Sequence, residues 1–118
     1  MKKYSYQTNI GVNTISLTEL KKKYELLHER DTWRVEAKDY QEIPIKELTD
    51  DEFMNAITYW NSVRRKDMLG ANERMKNKYR KLHENHLFRI HYREKFVEHY
   101  DKLFANELNR RNKLINNQ

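Results

Sequence analysis

The chain has 118 residues, 37% hydrophobic and 36% charged, with a net charge of +6. That length suits one domain over residues 1–118, and the absence of cysteine excludes disulfides, a thiolate metal site and a cysteine nucleophile. Eight Tyr, four Phe and two Trp argue against disorder, while two Gly and one Pro are too few for the turns of an all-β fold.

The opening MKKYSYQTNIG carries two lysines with no apolar core behind them, which argues against a secretory signal. No apolar run approaches membrane-spanning length. A cytosolic setting without a membrane partner is therefore expected. Residues 4–15 alternate weakly and suggest a short strand. Ser16 and Glu19 have the spacing of a capping box, and Leu17, Leu20, Tyr24 and Leu27 follow as one apolar stripe. These predict a helix over 17–30.

From Trp33 the period changes. Trp33, Val35 and Ala37 alternate with Arg34 and Glu36, as in a half-buried strand. Lys38-Asp39 suits a turn, and Ile43 and Ile45 alternate again. Pro44 cannot donate to a ladder, which puts this second strand at an edge. Such a hairpin must pack on helices to be stable.

Thr49 and Glu52 form a second capping box, with Asp50 and Asp51 complementing the helix dipole. Phe53, Ala56, Ile57, Trp60 and Val63 then share one face. Gly70 suits a left-handed C-terminal position, so this helix is expected to end near Leu69-Gly70. No Gly or Pro interrupts 71–111. Met75, Tyr79, Leu82 and His86 form one stripe, and Val97, Tyr100, Phe104 and Leu108 another. Either one long helix runs through 71–111, as the missing breakers favour, or it breaks or kinks near 85–88, as base rates of helix length favour; the break is the leading expectation. The expected fold is mainly α: a small helical domain with a short N-terminal β-hairpin. A helix and hairpin over 1–48 would join a helical bundle or long helical hairpin over 49–118. Trp33, Ile43, Ile57, Trp60, Tyr79, Leu82, Val97 and Phe104 are the expected core.

Charge is unevenly spread. Residues 1–50 carry nine basic and nine acidic side chains, which cancel. Residues 61–82 carry eight Lys and Arg against Asp67 and Glu73, an excess equal to the whole net charge. A localised excess steers anionic partners. On a helix over 72–86, Arg74, Lys78 and Lys81 would form a row, with Arg64, Arg65 and Lys66 across a turn at Gly70. Three readings fit: a solvated face covering apolar surface with long stems, a surface for an acidic protein or nucleoprotein, or direct sequence-tolerant nucleic-acid contact. Tyr59 and Tyr92 fall off the apolar stripes and are candidate interface anchors.

Catalytic and metal templates are sparse. There is no Gly-rich phosphate loop and no nucleophile elbow. His83 and His86 share metal-ligand spacing without further ligands beside them, and Glu25 and His28 imitate half of a di-iron motif without a second copy. No cofactor is expected. Arg93 and His99 loosely resemble the arginine–histidine motif of HEPN ribonucleases, but Arg80 and His86 repeat the same spacing.

Trp33, IPIKELTDDEFMNAITYW and Arg64-Arg65 resemble the core of a set of small bacteriophage and prophage proteins. This chain departs from them with Glu52 where many have His, and with Lys38-Asp39 where they often have Gly. The resemblance implies the cytosol of an infected bacterium. There small basic helical proteins bind and redirect host machinery, much as anti-CRISPR proteins do. On that footing the expected function is non-enzymatic inhibition or modulation of a host protein or nucleoprotein complex that handles nucleic acid. Arg64, Arg65, Lys66, Arg74, Lys78 and Lys81 would supply attraction, and a homodimer is also compatible.

Overall fold

The computed structural model describes residues 3–8 and 11–116, with side chains from Thr18 onward. The fold is mainly α with minor β. β1 (Lys3–Thr8) and β2 (Gly11–Ser16) pair antiparallel, with Lys3 opposite Ser16 and Thr8 opposite Gly11. A single short strand was the expectation for residues 4–15; backbone pairing makes it two. The capping box proposed for Ser16 falls outside the described side chains.

The helix expected over 17–30 divides into α1 (Leu17–Glu25) and a 3-10 turn, Leu27–Glu29. Of its stripe, Leu20 and Leu27 are buried and Tyr24 is half-buried, while the Leu17 side chain falls outside the described ones. Tyr24 lies edge-on to Phe88 and stacks on His91, holding α1 against α4 (Glu84–Asn116).

β3 (Thr32–Val35) and β4 (Gln41–Pro44) form the second hairpin, with Trp33 opposite Ile43. Ala37 and Ile45 leave the strand pattern. Each lies in a 3-10 turn, Glu36–Lys38 and Ile45–Glu47. Asp39 and Tyr40 have φ of 55° and 60°, the left-handed backbone that glycine adopts without strain. The expected turn at Lys38-Asp39 is therefore in place, built by residues less suited to it than Gly.

Thr49 caps α2 (Asp50–Tyr59) as expected. Its hydroxyl accepts from the Glu52 N–H at 3.2 Å, and the Glu52 carboxylate accepts from the Thr49 N–H at 2.9 Å. Those bonds hold the Glu52 carboxyl below its ordinary range, with Lys38 adding to the effect.

Beyond Tyr59 the helix does not stop. Trp60–Arg64 form a π-turn, and α3 (Arg65–Lys78) continues from it through Gly70. The expected end at Leu69-Gly70 is wrong because Gly70 does not take the left-handed φ that a terminating glycine needs. The π-turn has a geometric consequence. In an unbroken α-helix Arg64, Asp67, Arg74 and Lys78 would fall within about 40° of the Trp60 direction, toward the core. The extra residue in the turn rotates α3. Arg65, Met68 and Asn72 face inward instead, and Val63, expected on the core face, is exposed.

The connector over 79–83 separates α3 from α4. A break was expected at 85–88; it comes earlier because Tyr79 turns extended, at φ −110° and ψ 130°. Tyr79, expected in the core, is 36% exposed there. Its ring stacks on His86 with centroids 4.4 Å apart. His86 Nδ1 accepts from the His83 N–H at 3.3 Å, closing the first turn of α4. α4 has 33 residues, about 50 Å at 1.5 Å per residue, close to the 55 Å long axis of the molecule. α3 packs along it as one arm of a long helical hairpin.

The core is aromatic. Trp60, Phe53, Tyr100 and Phe104 are buried beside Val35, Ile45, Leu48, Ala56 and Val97. Trp33 and Ile43 close it from the hairpin. Trp33 lies edge-on to Trp60, Tyr100 and Phe104, the arrangement ring quadrupoles prefer. Tyr100 Oη–H donates to the Thr32 carbonyl at 2.8 Å, and burial pushes this phenol's pKa up.

A polar clasp fastens the hairpin end to α4. Arg111 donates to Glu107 at 2.6 Å, to Asp50 at 2.7 Å and to the Leu48 carbonyl at 2.6 Å. Its guanidinium also lies over the Phe53 ring. Arg110 donates twice more to Glu107, at 2.6 and 2.8 Å. Glu107 is buried, yet these arginines, Arg110 foremost, hold its carboxyl below the ordinary range.

Candidate functional site

α3 presents two chemically distinct sides. Its inner side is latched to α4 by polar contacts. Arg65 Nε donates to both Asp101 oxygens, at 3.1 and 3.0 Å, and Trp60 Nε1–H reaches the same carboxylate at 2.8 Å. Buried Asn72 donates to the Ile90 carbonyl at 3.0 Å and accepts from Arg93 at 3.3 Å. Lys76 lies near Glu73 and Glu94.

The outer side carries Lys66, Arg74 and Lys78, all exposed. Together with Gly70 they stand at successive four-residue steps, the spacing that aligns side chains in one row on a helix. Exposed Arg64 stands at the upstream edge. Among the described residues none of these four cations enters a salt bridge, and residues 1–17 contain no Asp or Glu. Exposed Asp67 stands beside the row, so the surface is basic but not uniformly so.

The six expected cations therefore separate. Arg64, Lys66, Arg74 and Lys78 share the outer side of the π-turn and α3. Arg65 is turned to Asp101 and is unavailable to a partner without breaking that pair. Lys81 is exposed in the connector and does not extend the helical row, because α3 ends at Lys78. No turn divides Arg64–Lys66 from Arg74, so the expected two-part arrangement is one continuous helical surface.

The two tyrosines occupy opposite ends of a ladder of ring contacts. Tyr59, 52% exposed, lies edge-on to Trp33. Trp33 meets Tyr100, Tyr100 stacks on Phe96 at 4.7 Å, and Phe96 meets half-buried Tyr92. Arg30 covers Phe96 with its guanidinium 5.5 Å from the ring centre. Tyr59 is the exposed anchor of the pair, and Tyr92 the more enclosed one.

Arg93 and His99 do not converge. Six residues apart on α4, they point to different sides, about 9 Å apart along the axis. Arg93 donates to Asn72, and His99 Nε2–H donates to the Arg30 carbonyl. His99 lines an open cleft of about 330 Å³ with Tyr24, His28, Lys95 and Glu98, and Arg93 is not part of it. His83 and His86 have ring centres 5.6 Å apart, but His86 Nδ1 is already engaged by a backbone N–H. Among the described residues no three His, Cys, Asp or Glu side chains gather as metal ligands. No described helix is long and apolar enough to cross a membrane.

Sequence reasoning missed two features that organise this surface and misassigned a third. Asp101 and the π-turn decide which α3 side faces out, and neither has a local signature. Gly70 had one: it sits four residues before Arg74 and four after Lys66. Comparisons of the chain with protein-family models, curated proteins and solved structures find no match.

Proposed function

We propose that this chain is a non-enzymatic binding protein that docks on a host complex handling nucleic acid and inhibits or modulates it. The docking element is the outer side of α3. The observation that carries this reading is the contrast in pairing: Arg65, Lys76, Arg110 and Arg111 meet carboxylates of the same chain, while Arg64, Lys66, Arg74 and Lys78 meet none among the described residues. Unpaired cations on one rigid helix give a localised positive potential, which raises the encounter rate with an anionic surface and fixes orientation. Exposed Tyr59 beside the π-turn adds a contact of the kind that supplies binding energy. The bacteriophage setting and the anti-defence role rest on the sequence resemblance around Trp33 and residues 43–65.

The test is affinity capture from bacterial lysate, with and without nuclease, using the native chain and a variant carrying Lys66→Glu, Arg74→Glu and Lys78→Glu. The expected result is a protein complex that survives nuclease and is lost with the variant. Equal capture by both chains overturns the role of α3. Capture of nucleic acid alone would replace the reading with direct nucleic-acid binding. In that case affinity would fall in log salt with a slope of about −0.9 per phosphate contact.

A further inference from the structure

Gly70 occupies the middle of α3, where glycine disfavours a helix relative to alanine. It does not turn the chain, since α3 runs straight through it. Its role must come from the absent side chain. Helical side chains lean toward the N-terminus, so Arg74 covers the turn that contains Gly70. A Cβ placed at residue 70 would lie 3.1 Å from Arg74 Nη1 and 4.0 Å from its Cζ. The guanidinium therefore lies back over the bare backbone of Gly70, the position between Arg74 and Lys66 in the row.

We propose that Gly70 is a positioning residue: it seats the Arg74 guanidinium close to the helix so that Arg74 and Lys66 together grip a carboxylate of an acidic protein partner. This rests on the docking reading of α3 given above. A planar guanidinium laid on a helix offers a fork that matches a carboxylate in two-point contact, and Lys66 adds a point charge behind it. Asp67 favours a protein over a polyphosphate as the occupant. A fixed carboxylate beside the row repels an evenly charged phosphate chain, whereas a protein surface of mixed sign can meet it with a cation.

The experiment uses Gly70→Ala and Gly70→Leu, which leave the net charge unchanged. Two probes are titrated at one ionic strength: a synthetic helical peptide with glutamates at four-residue spacing, and a fifteen-nucleotide oligothymidylate. Both variants are expected to melt a few degrees higher, as a better helix former replaces glycine. Affinity for the peptide is expected to fall about threefold for Ala and tenfold for Leu, with oligothymidylate binding changed less than twofold. Arg74→Lys, which keeps the charge and loses the fork, should mimic the Leu variant.

If the native chain does not bind the peptide, the docking reading of α3 fails. If it binds and both Gly70 variants bind equally well, the docking reading stands and the seat is wrong. If the variants lose oligothymidylate and keep the peptide, the occupant is nucleic acid and the assignment to an acidic protein is overturned.

Discussion

The clasp around Glu107 and the outer side of α3 are both rich in cations, and they use them in opposite ways. At the clasp Arg111 is only 12% exposed by side chain and meets two carboxylates, two carbonyls and an aromatic face. Along the outer side of α3 the heads of Lys66, Arg74 and Lys78 are exposed and meet no carboxylate among the described residues, with Lys78 lying over the Tyr79 ring. Cation count alone would not separate these regions. What separates them is whether the surrounding backbone turns bring acceptors to the guanidinium. The clasp should therefore govern stability with no effect on partners, and α3 the reverse.

The most severe way to break this division is to delete Ser62 from the π-turn. α3 would lose its rotation, Arg74 and Lys78 would swing toward the Trp60 side, and Arg65 would leave Asp101. We expect a loss of more than about 4 kcal/mol in urea denaturation, the range of exceptional core disruption. A loss under about 1 kcal/mol would mean that the π-turn does not set the face.

Next comes a direct comparison of two arginines. Arg111→Met leaves buried Glu107 with Arg110 alone and should cost about 3 kcal/mol. Arg74→Met should change stability by less than about 0.5 kcal/mol. Similar values for both would erase the contrast. The clasp should also weaken in acid. Because the Glu107 carboxyl is held below its ordinary range, its contribution is present at neutral pH and is lost as the pH falls through that lowered value.

A smaller effect sharpens the inner side of α3. Trp60→Phe keeps a ring in the core and removes the donor to Asp101, leaving Arg65 to hold the carboxylate. A loss of about 1.5 kcal/mol is expected from equilibrium unfolding, with binding unaltered.

The smallest effect is at the first turn of α4, just beyond the end of α3. Burial, with His83 and Arg89 adding to it, lowers the pKa of His86. The unfolded chain protonates this residue near pH 6.5, while the folded chain resists until lower pH. Stability should therefore decline as the pH drops below about 6.5. His86→Phe keeps the stack on Tyr79 and should flatten that decline in thermal melts at pH 7.5 and 5.5. An unchanged slope would remove His86 as its source.

Local chemistry was legible in the sequence where it is satisfied locally. The Thr49–Glu52 box needs only residues three apart, and it formed as expected. The stripe of Val97, Tyr100 and Phe104 lies on one unbroken helix and is buried. The π-turn was not legible, because its inner side is held by Asp101, 41 residues beyond Trp60. The same distance effect misplaced Val63 and turned Arg65 from a candidate contact into a structural one. Gly70 misled as a stop signal because glycine permits a left-handed cap without requiring one. Lys66, Arg74 and Lys78 stood out in the sequence by charge and are exposed, but their alignment depends on a rotation that no local pattern announces. Lys81 was drawn into the row by assuming a helix over 72–86, and the stack of Tyr79 on His86 ends it sooner.

The π-turn ties chain length to chemistry in a way that inheritance should record. A descendant losing one codon between Trp60 and Met68 would point positions 74 and 78 at the opposing helix, where lysine and arginine are poorly tolerated. Apolar replacements at both sites would then have to follow. Spacing in that short interval and polarity two turns downstream should vary as one character, so sequences gathered by length alone would sort themselves into those able to present this surface and those that have closed it.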